Sequence, residues 1–234
     1  AFHGLDDYLE RLAEKKYEDS LEENGEKIAV GPAEAREQGK DLITDEDYDD
    51  AHRNLVRLRR GDIGAWIYCG AATDVGPALS IAEQQGFLAT SVLVVGPETH
   101  KAIRELGDAD RPVVLPAGLF HRERDAISGE LTETFLPKVF HDAGIDFALV
   151  PNPGGSLAER YLNYQAAMCV RYGVPRSDAL EAITLTPAQM VGLGDSHGSL
   201  EVGKVANITV MSGDPLDFES WVDLVFINGT LAYD

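Results

Sequence analysis

The residue types that could do acid–base or metal chemistry are few and scattered. There are six histidines, His3, His52, His100, His121, His141 and His197, and no two stand at a His-x-His or His-x₃-His spacing. Such spacings matter because they turn two imidazoles from one element toward a single ion. Cys69 and Cys169 are too few and too far apart for a disulfide framework or a Cys-rich zinc site. Cys69 lies in an apolar run and Cys169 in a helical pattern, so both read as buried thiols. A Gly-x-Ser-x-Gly elbow and a Walker loop are both missing. Pro153-Gly154-Gly155-Ser156, ahead of a helix, is only superficially like an anion cradle. His100 and His141 fall on expected helices, away from strand ends, and read as surface residues. His197 sits in the turn Asp195-Ser196-His197-Gly198 and reads as structural. His121 is the more interesting histidine. It follows an expected strand in the segment Gly118 to Glu130, among Arg122, Glu123, Arg124 and Asp125, and its plainest reading is an exposed polar loop.

The elements that must position these residues begin in earnest at residue 62. Ile63 to Cys69, Ser91 to Val95, Pro112 to Leu115 and Ile145 to Val150 are short apolar runs, each expected as a buried strand. Helices are expected between and after them. Asp74 caps one that reaches Gln85 and stops at Gly86, and Pro97 opens one that ends at Leu106. Thr132 to Ala143 is expected as a third, with Pro137 an irregularity, and the capping box at Ser156 starts a fourth that ends near Gly173. Four strand–helix units imply a parallel sheet covered by helices. They fit either an open doubly wound sheet or half of an eight-stranded barrel, and periodicity does not choose. Ser177 to Ile183 and a segment capped by Thr186 with Pro187 first read as short helices. Val205 to Met211 reads as a strand, and Leu224 to Ile227, Asn228-Gly229, Thr230 to Tyr233 as a hairpin, because Asn-Gly suits a type I′ turn. Residues 1–60 differ: polar helices at Asp6 to Glu22 and Asp45 to Arg60, with breaks at Asn24-Gly25 and Gly31-Pro32, read as a helical insertion or connection.

Composition narrows the partners. Forty acidic and 20 basic residues among 234 give a net charge of −20, with much of the acid between Glu10 and Asp50. That charge opposes nucleic acid and anionic lipid, so neither is an expected partner. No apolar run approaches the ~20 residues a spanning helix needs.

The run Ala182-Ile183-Thr184-Leu185-Thr186-Pro187-Ala188, then Gly192-Leu193, then Gly198-Ser199-Leu200-Glu201-Val202-Gly203-Lys204-Val205-Ala206-Asn207, resembles the C-terminal signature of the amidohydrolase superfamily. Gly213-Asp214-Pro215-Leu216 and Val225-Phe226-Ile227-Asn228-Gly229 continue it, and the nearest subgroup is imidazolonepropionase-like and prolidase-type. Weaker similarity reaches back to about residue 60. The resemblance implies an α/β fold: the second half of a (β/α)₈ TIM-type barrel over 61–195, with 196–234 as the C-terminal portion of a composite β-sandwich. It also implies partners, since half a barrel leaves apolar strand edges open. Those are a preceding barrel half or a second copy of the chain.

The family's chemistry uses a divalent metal such as zinc, which lowers the pKa of bound water to ~7 so that hydroxide attacks a C–N bond. Its ligands at the ends of strands five, six and eight fall inside this chain by the resemblance, and all three are substituted. Tyr68 and Gly70 stand at two histidine positions of strand five, Val95 at that of strand six, and Asn152 at the aspartate of strand eight. The expectation is therefore a degenerate metal site with no cofactor held by this chain, in a binding or structural half of a larger protein. Tyr68, Gly70, Val95, Asn152 and His121 become a candidate pocket for a small-molecule ligand, without assigned catalytic residues. The other reading is an active amidohydrolase whose ligands come mainly from residues preceding this chain.

Overall fold

The computed structural model describes residues 2–25, 30–151 and 162–234. The chain forms two compact units, one of residues 1–65 with 82–90, the other of 66–81 with 91–234.

The first unit is helical. Its α1 (Phe2–Asn24) ends at Gly25, whose φ of 71° only glycine adopts cheaply. The sequence reads Gly31-Pro32 as a break; here Gly31 is the N-cap and Pro32 opens α2 (Pro32–Lys40), where its missing N–H costs nothing. α2 packs so closely on α1 that a Cβ on Gly39 would lie 1.8 Å from the Ala13 carbonyl oxygen. The helix expected over Asp45 to Arg60 is two pieces: a 3-10 turn at Asp45–Asp47 and α3 (Arg53–Arg60). Asp47 folds back on the Thr44 backbone N–H at 2.8 Å and splits it. Leu5, Tyr48 and Val56 form one small core, and Tyr17, Leu21 and Ala35 another. Arg59 reaches Asp6 and Gln85, and Phe2 stacks on Phe87.

The second unit is a mixed α/β fold with a parallel sheet. The sheet order is β1 (Ala65–Cys69), β2 (Ser91–Val95), β3 (Val113–Val114) and then β6 (Phe147–Ala148). β2 runs parallel to β3 and β3 to β6, with Leu93 opposite Val113 and Val113 opposite Phe147. The ladder outlasts the strand limits: Leu93 N–H donates to Pro112 O, and Leu115 N–H to Ala148 O. Alternation separates two faces. Cys69, Leu93, Val95, Val113 and Phe147 share the larger core with Val75, Leu106, Phe140 and Cys169. Val92, Val114 and Ala148 face the other way, with Val94, Val150 and Met190. The covering helices are α4 (Ala72–Gln84), whose residues to Ile81 belong to this unit, α5 (Ile103–Asp108), α6 (Leu136–Asp142) and α7 (Leu162–Arg171). Pro97–Ala102, expected as the start of one helix, is a separate 3-10 segment ahead of α5.

One expected helix is largely something else. Within Thr132 to Ala143, residues Leu131–Phe135 form β5, antiparallel to β4 (Phe120–Arg124). Thr132, Thr134 and Phe135 favour extended backbone, and the Arg122–Glu133 pair at 2.6 Å fixes the register. Pro137 then lies in the first turn of α6, where proline is at home. The same hairpin turns the segment expected as a polar loop around His121 into a strand.

α7 is described from Leu162; the cap expected at Ser156 lies outside the described residues. α8 (Arg176–Glu181) and α9 (Leu185–Met190) follow, the latter with Thr184 rather than Thr186 at its N-cap position, the Thr184 hydroxyl donating back to Leu180 O. The chain continues into an antiparallel sheet of β7 (Ile208–Met211), β8 (Val222–Ile227) and β9 (Thr230–Tyr233). Asn228 and Gly229 have φ of 51° and 76°, as a type I′ turn demands. No helix among the described residues is long and apolar enough to cross a membrane.

Candidate functional site

In a parallel sheet, side chains at the C-terminal strand ends and the loops that follow them form the chemically useful face. On β1, alternation exposes Trp66 and Tyr68, at 54% and 72%, and buries Cys69. Tyr68 lies over Gly70: a Cβ there would stand 3.2 Å from the tyrosine ring and 3.3 Å from its hydroxyl. Next to them β2 ends in Val95-Gly96. Gly96 N–H donates to Cys69 O at 2.7 Å, and a Cβ on Gly96 would fall 2.1 Å from the Gly70 carbonyl oxygen. The two strand ends are thus closed backbone against backbone. Val95 is 2% exposed and belongs to the core of Cys69, Leu93 and Val113, on the face away from Tyr68. The structure therefore brings Tyr68, Gly70 and Gly96 together and draws the Val95 side chain into packing. Asn152 lies outside the described residues.

His121, on β4, meets a group the sequence did not single out. Its ring lies 5.0 Å from that of His100, in the segment directly after β2. Its Nε2 is buried, has no hydrogen-bond partner, and is 3.8 Å from Glu123. Lys101 donates to Glu123 at 3.0 Å and, with its charge, holds that carboxyl below its ordinary pKa. His100 is fixed by its Nδ1, 2.8 Å from Pro97 O. His100 is thus no isolated surface residue; the 3-10 geometry of Pro97–Ala102 turns it toward the hairpin. Gln165 was also missed. Buried on α7, its amide donates to Ala117 O and Val150 O at 3.0 and 3.1 Å, bracing the chain just beyond β3 and β6. The signal was there: a glutamine inside an apolar helical face must find partners.

Burial raises the Cys69 thiol and pushes Cys169 up to about 12, so neither is a nucleophile at neutral pH. For a divalent metal the described strand ends offer a phenol, a glycine and an alkyl group. Zinc, iron or nickel needs imidazole, thiolate or carboxylate, so this donor set does not fit. Among the described residues no three His, Cys, Asp or Glu are arranged to hold a metal ion.

Comparison with known proteins gives this geometry a context. The model of the amidohydrolase family matches residues 168–233. An imidazolonepropionase from Maricaulis maris is 25% identical over 179 residues, which cover 74% of this chain and 42% of that protein. An amidohydrolase from Thermotoga maritima superposes with a TM-score of 0.67 at 27% identity, over 99% of this chain and 53% of that one. These matches support an amidohydrolase-superfamily relationship, carried most strongly by the C-terminal part of the chain. A zinc-bound adenosine deaminase from Xanthomonas campestris shares the fold, with a TM-score of 0.51 at 16% identity over 82% of this chain and 49% of that one. The chain spans about half the length of the relatives it matches.

Proposed function

We propose that this chain is a binding or structural half of an amidohydrolase-like protein, in which the family's strand-end metal position has been converted to packing. The observation that carries the reading is Val95: it is 2% exposed in an apolar cluster, and the backbone beside it is closed by the Gly96–Cys69 hydrogen bond. In this reading residues 61–195 are half of a (β/α)₈ barrel, 196–234 a portion of a composite β-sandwich, and 1–60 a helical insertion. The parallel order β1-β2-β3-β6 and the antiparallel sheet β7-β8-β9 support that division. Exposed Trp66 and Tyr68 on an edge strand support a partner there, either the rest of the barrel or a second copy. With Val95 withdrawn, the described candidates of the reading are Tyr68, Gly70 and His121; Asn152, the remaining one, lies outside the described residues. Tyr68 offers aromatic surface and a hydroxyl, suited to an uncharged or aromatic small molecule.

Val95→His tests the conversion. An imidazole placed in this cluster loses its hydrogen bonds to water, costing about 1–3 kcal/mol, and gains no metal. A variant as stable as the parent that takes up zinc at that imidazole would show that position 95 still faces a metal site, and the reading would fail.

A further inference from the structure

Away from the strand ends, one imidazole has both ring nitrogens committed to carboxylates. His141, in the last turn of α6, places Nε2 3.0 Å from Oδ2 of Asp178 in the first turn of α8, and Nδ1 3.2 Å from Oδ1 of Asp142. A carboxylate oxygen only accepts, and a neutral imidazole has a single N–H. The neutral ring would aim a lone pair at one of the two carboxylates; the imidazolium donates to both. Helix polarity acts in the same sense. A cation suits the C-terminal turn of α6, and an anion the N-terminal turn of α8.

We propose that His141 is a proton-controlled clasp between α6 and α8. With the proton bound, the ring ties the two helices together; when it leaves, one contact becomes repulsive and α8 is released. The groups facing the ring are Asp142 and, through it, Lys138 on α6, and Asp178 and Ser177 on α8. Arg176 is turned away, paired with Asp214. Both carboxyls are held below their ordinary pKa, Asp142 chiefly by Lys138 and then His141, and Asp178 chiefly by Ser177 with His141 assisting. They therefore stay ionised throughout the range in which imidazole ordinarily changes charge, about pH 5–8. The clasp is closed while the ring holds its proton and opens when the proton leaves. The consequence reaches the sheet, because Ala182, immediately after α8, accepts a hydrogen bond from Leu149 N–H at 3.0 Å, at the end of β6.

The experiment is amide hydrogen exchange at Leu149 in the full protein, read as a protection factor so that intrinsic base catalysis is divided out. His141 is 28% exposed and Asp178 44%, so solvent weakens the effect. Protection should fall roughly threefold from pH 5 to pH 8, the size of a partly exposed ion pair. In His141→Gln, which keeps one neutral donor, the profile should be flat. Asp178→Asn removes the partner charge without touching the ring and should flatten it as well. A flat wild-type profile, or the same fall in both variants, overturns the clasp.

Discussion

Replacing Gly96 with alanine tests the closure of the strand ends most sharply. The added Cβ would lie 2.1 Å from the Gly70 carbonyl oxygen and 2.8 Å from its carbon. Ordinary contact begins at about 3.5 Å, so one backbone must retreat by more than about 1 Å. Both neighbours are main chain, and no side chain can swing aside. The retreat breaks the Gly96 N–H to Cys69 O bond, worth about 0.5–1.5 kcal/mol. Forced repacking of the Val95 cluster adds about 1–3 kcal/mol. Together they predict a loss of about 2–4 kcal/mol, or a urea midpoint lower by about 1–2 M at ordinary slopes. Gly118→Ala, where a Cβ would meet nothing within 4 Å, is the matched control. If Gly96→Ala unfolds within about 0.5 kcal/mol of the wild type, the strand ends are not in backbone contact and the argument for converted packing collapses.

Other outcomes follow from the same packing and charges. Phe140, 1% exposed at the centre of the larger core, should cost about 3–5 kcal/mol when cut to alanine, measured by denaturant unfolding. Cys69 and Cys169 should resist a thiol reagent at pH 8 in the native protein and react on denaturation; prompt native labelling of either would contradict their burial. Asp47 is lowered to about 2, first by the hydrogen bond from Lys16 and then by Thr44. A lowered carboxyl stabilises above its unfolded pKa and ceases to do so as pH falls through the folded value. The stability gap between wild type and Lys16→Ala should accordingly be full at neutral pH and close as pH approaches about 2 in an acid-unfolding series.

What the sequence revealed, and what it hid, follows from the range of the forces involved. The four parallel-sheet strands were legible because apolar runs such as Ser91 to Val95 end at Gly and Pro punctuation. The hairpin at Asn228-Gly229 was legible because few residues accept positive φ at both turn positions. β4 and β5 were hidden: Thr132 to Phe135 lies close to a helix-like stretch, and only its pairing with Phe120 to Arg124 makes it a strand. Pro32 reads as a breaker in the sequence because one residue cannot say on which side of a helix it stands. At the candidate site, the burial of Cys69 opposite exposed Tyr68 could be read along the chain from strand alternation. The side on which Val95 packs could not, because it depends on which helices cover the sheet. Nor could the meeting of His100 with His121, which are separated by a helix and a strand.

The most direct test of the converted strand ends is anomalous diffraction from crystals of the full protein equilibrated with zinc. The account predicts no anomalous peak within about 2.5 Å of any side-chain atom of Tyr68, Val95 or Asn152, zinc–ligand bonds being about 2.0–2.3 Å long. A well-occupied peak ligated by any of the three would contradict it.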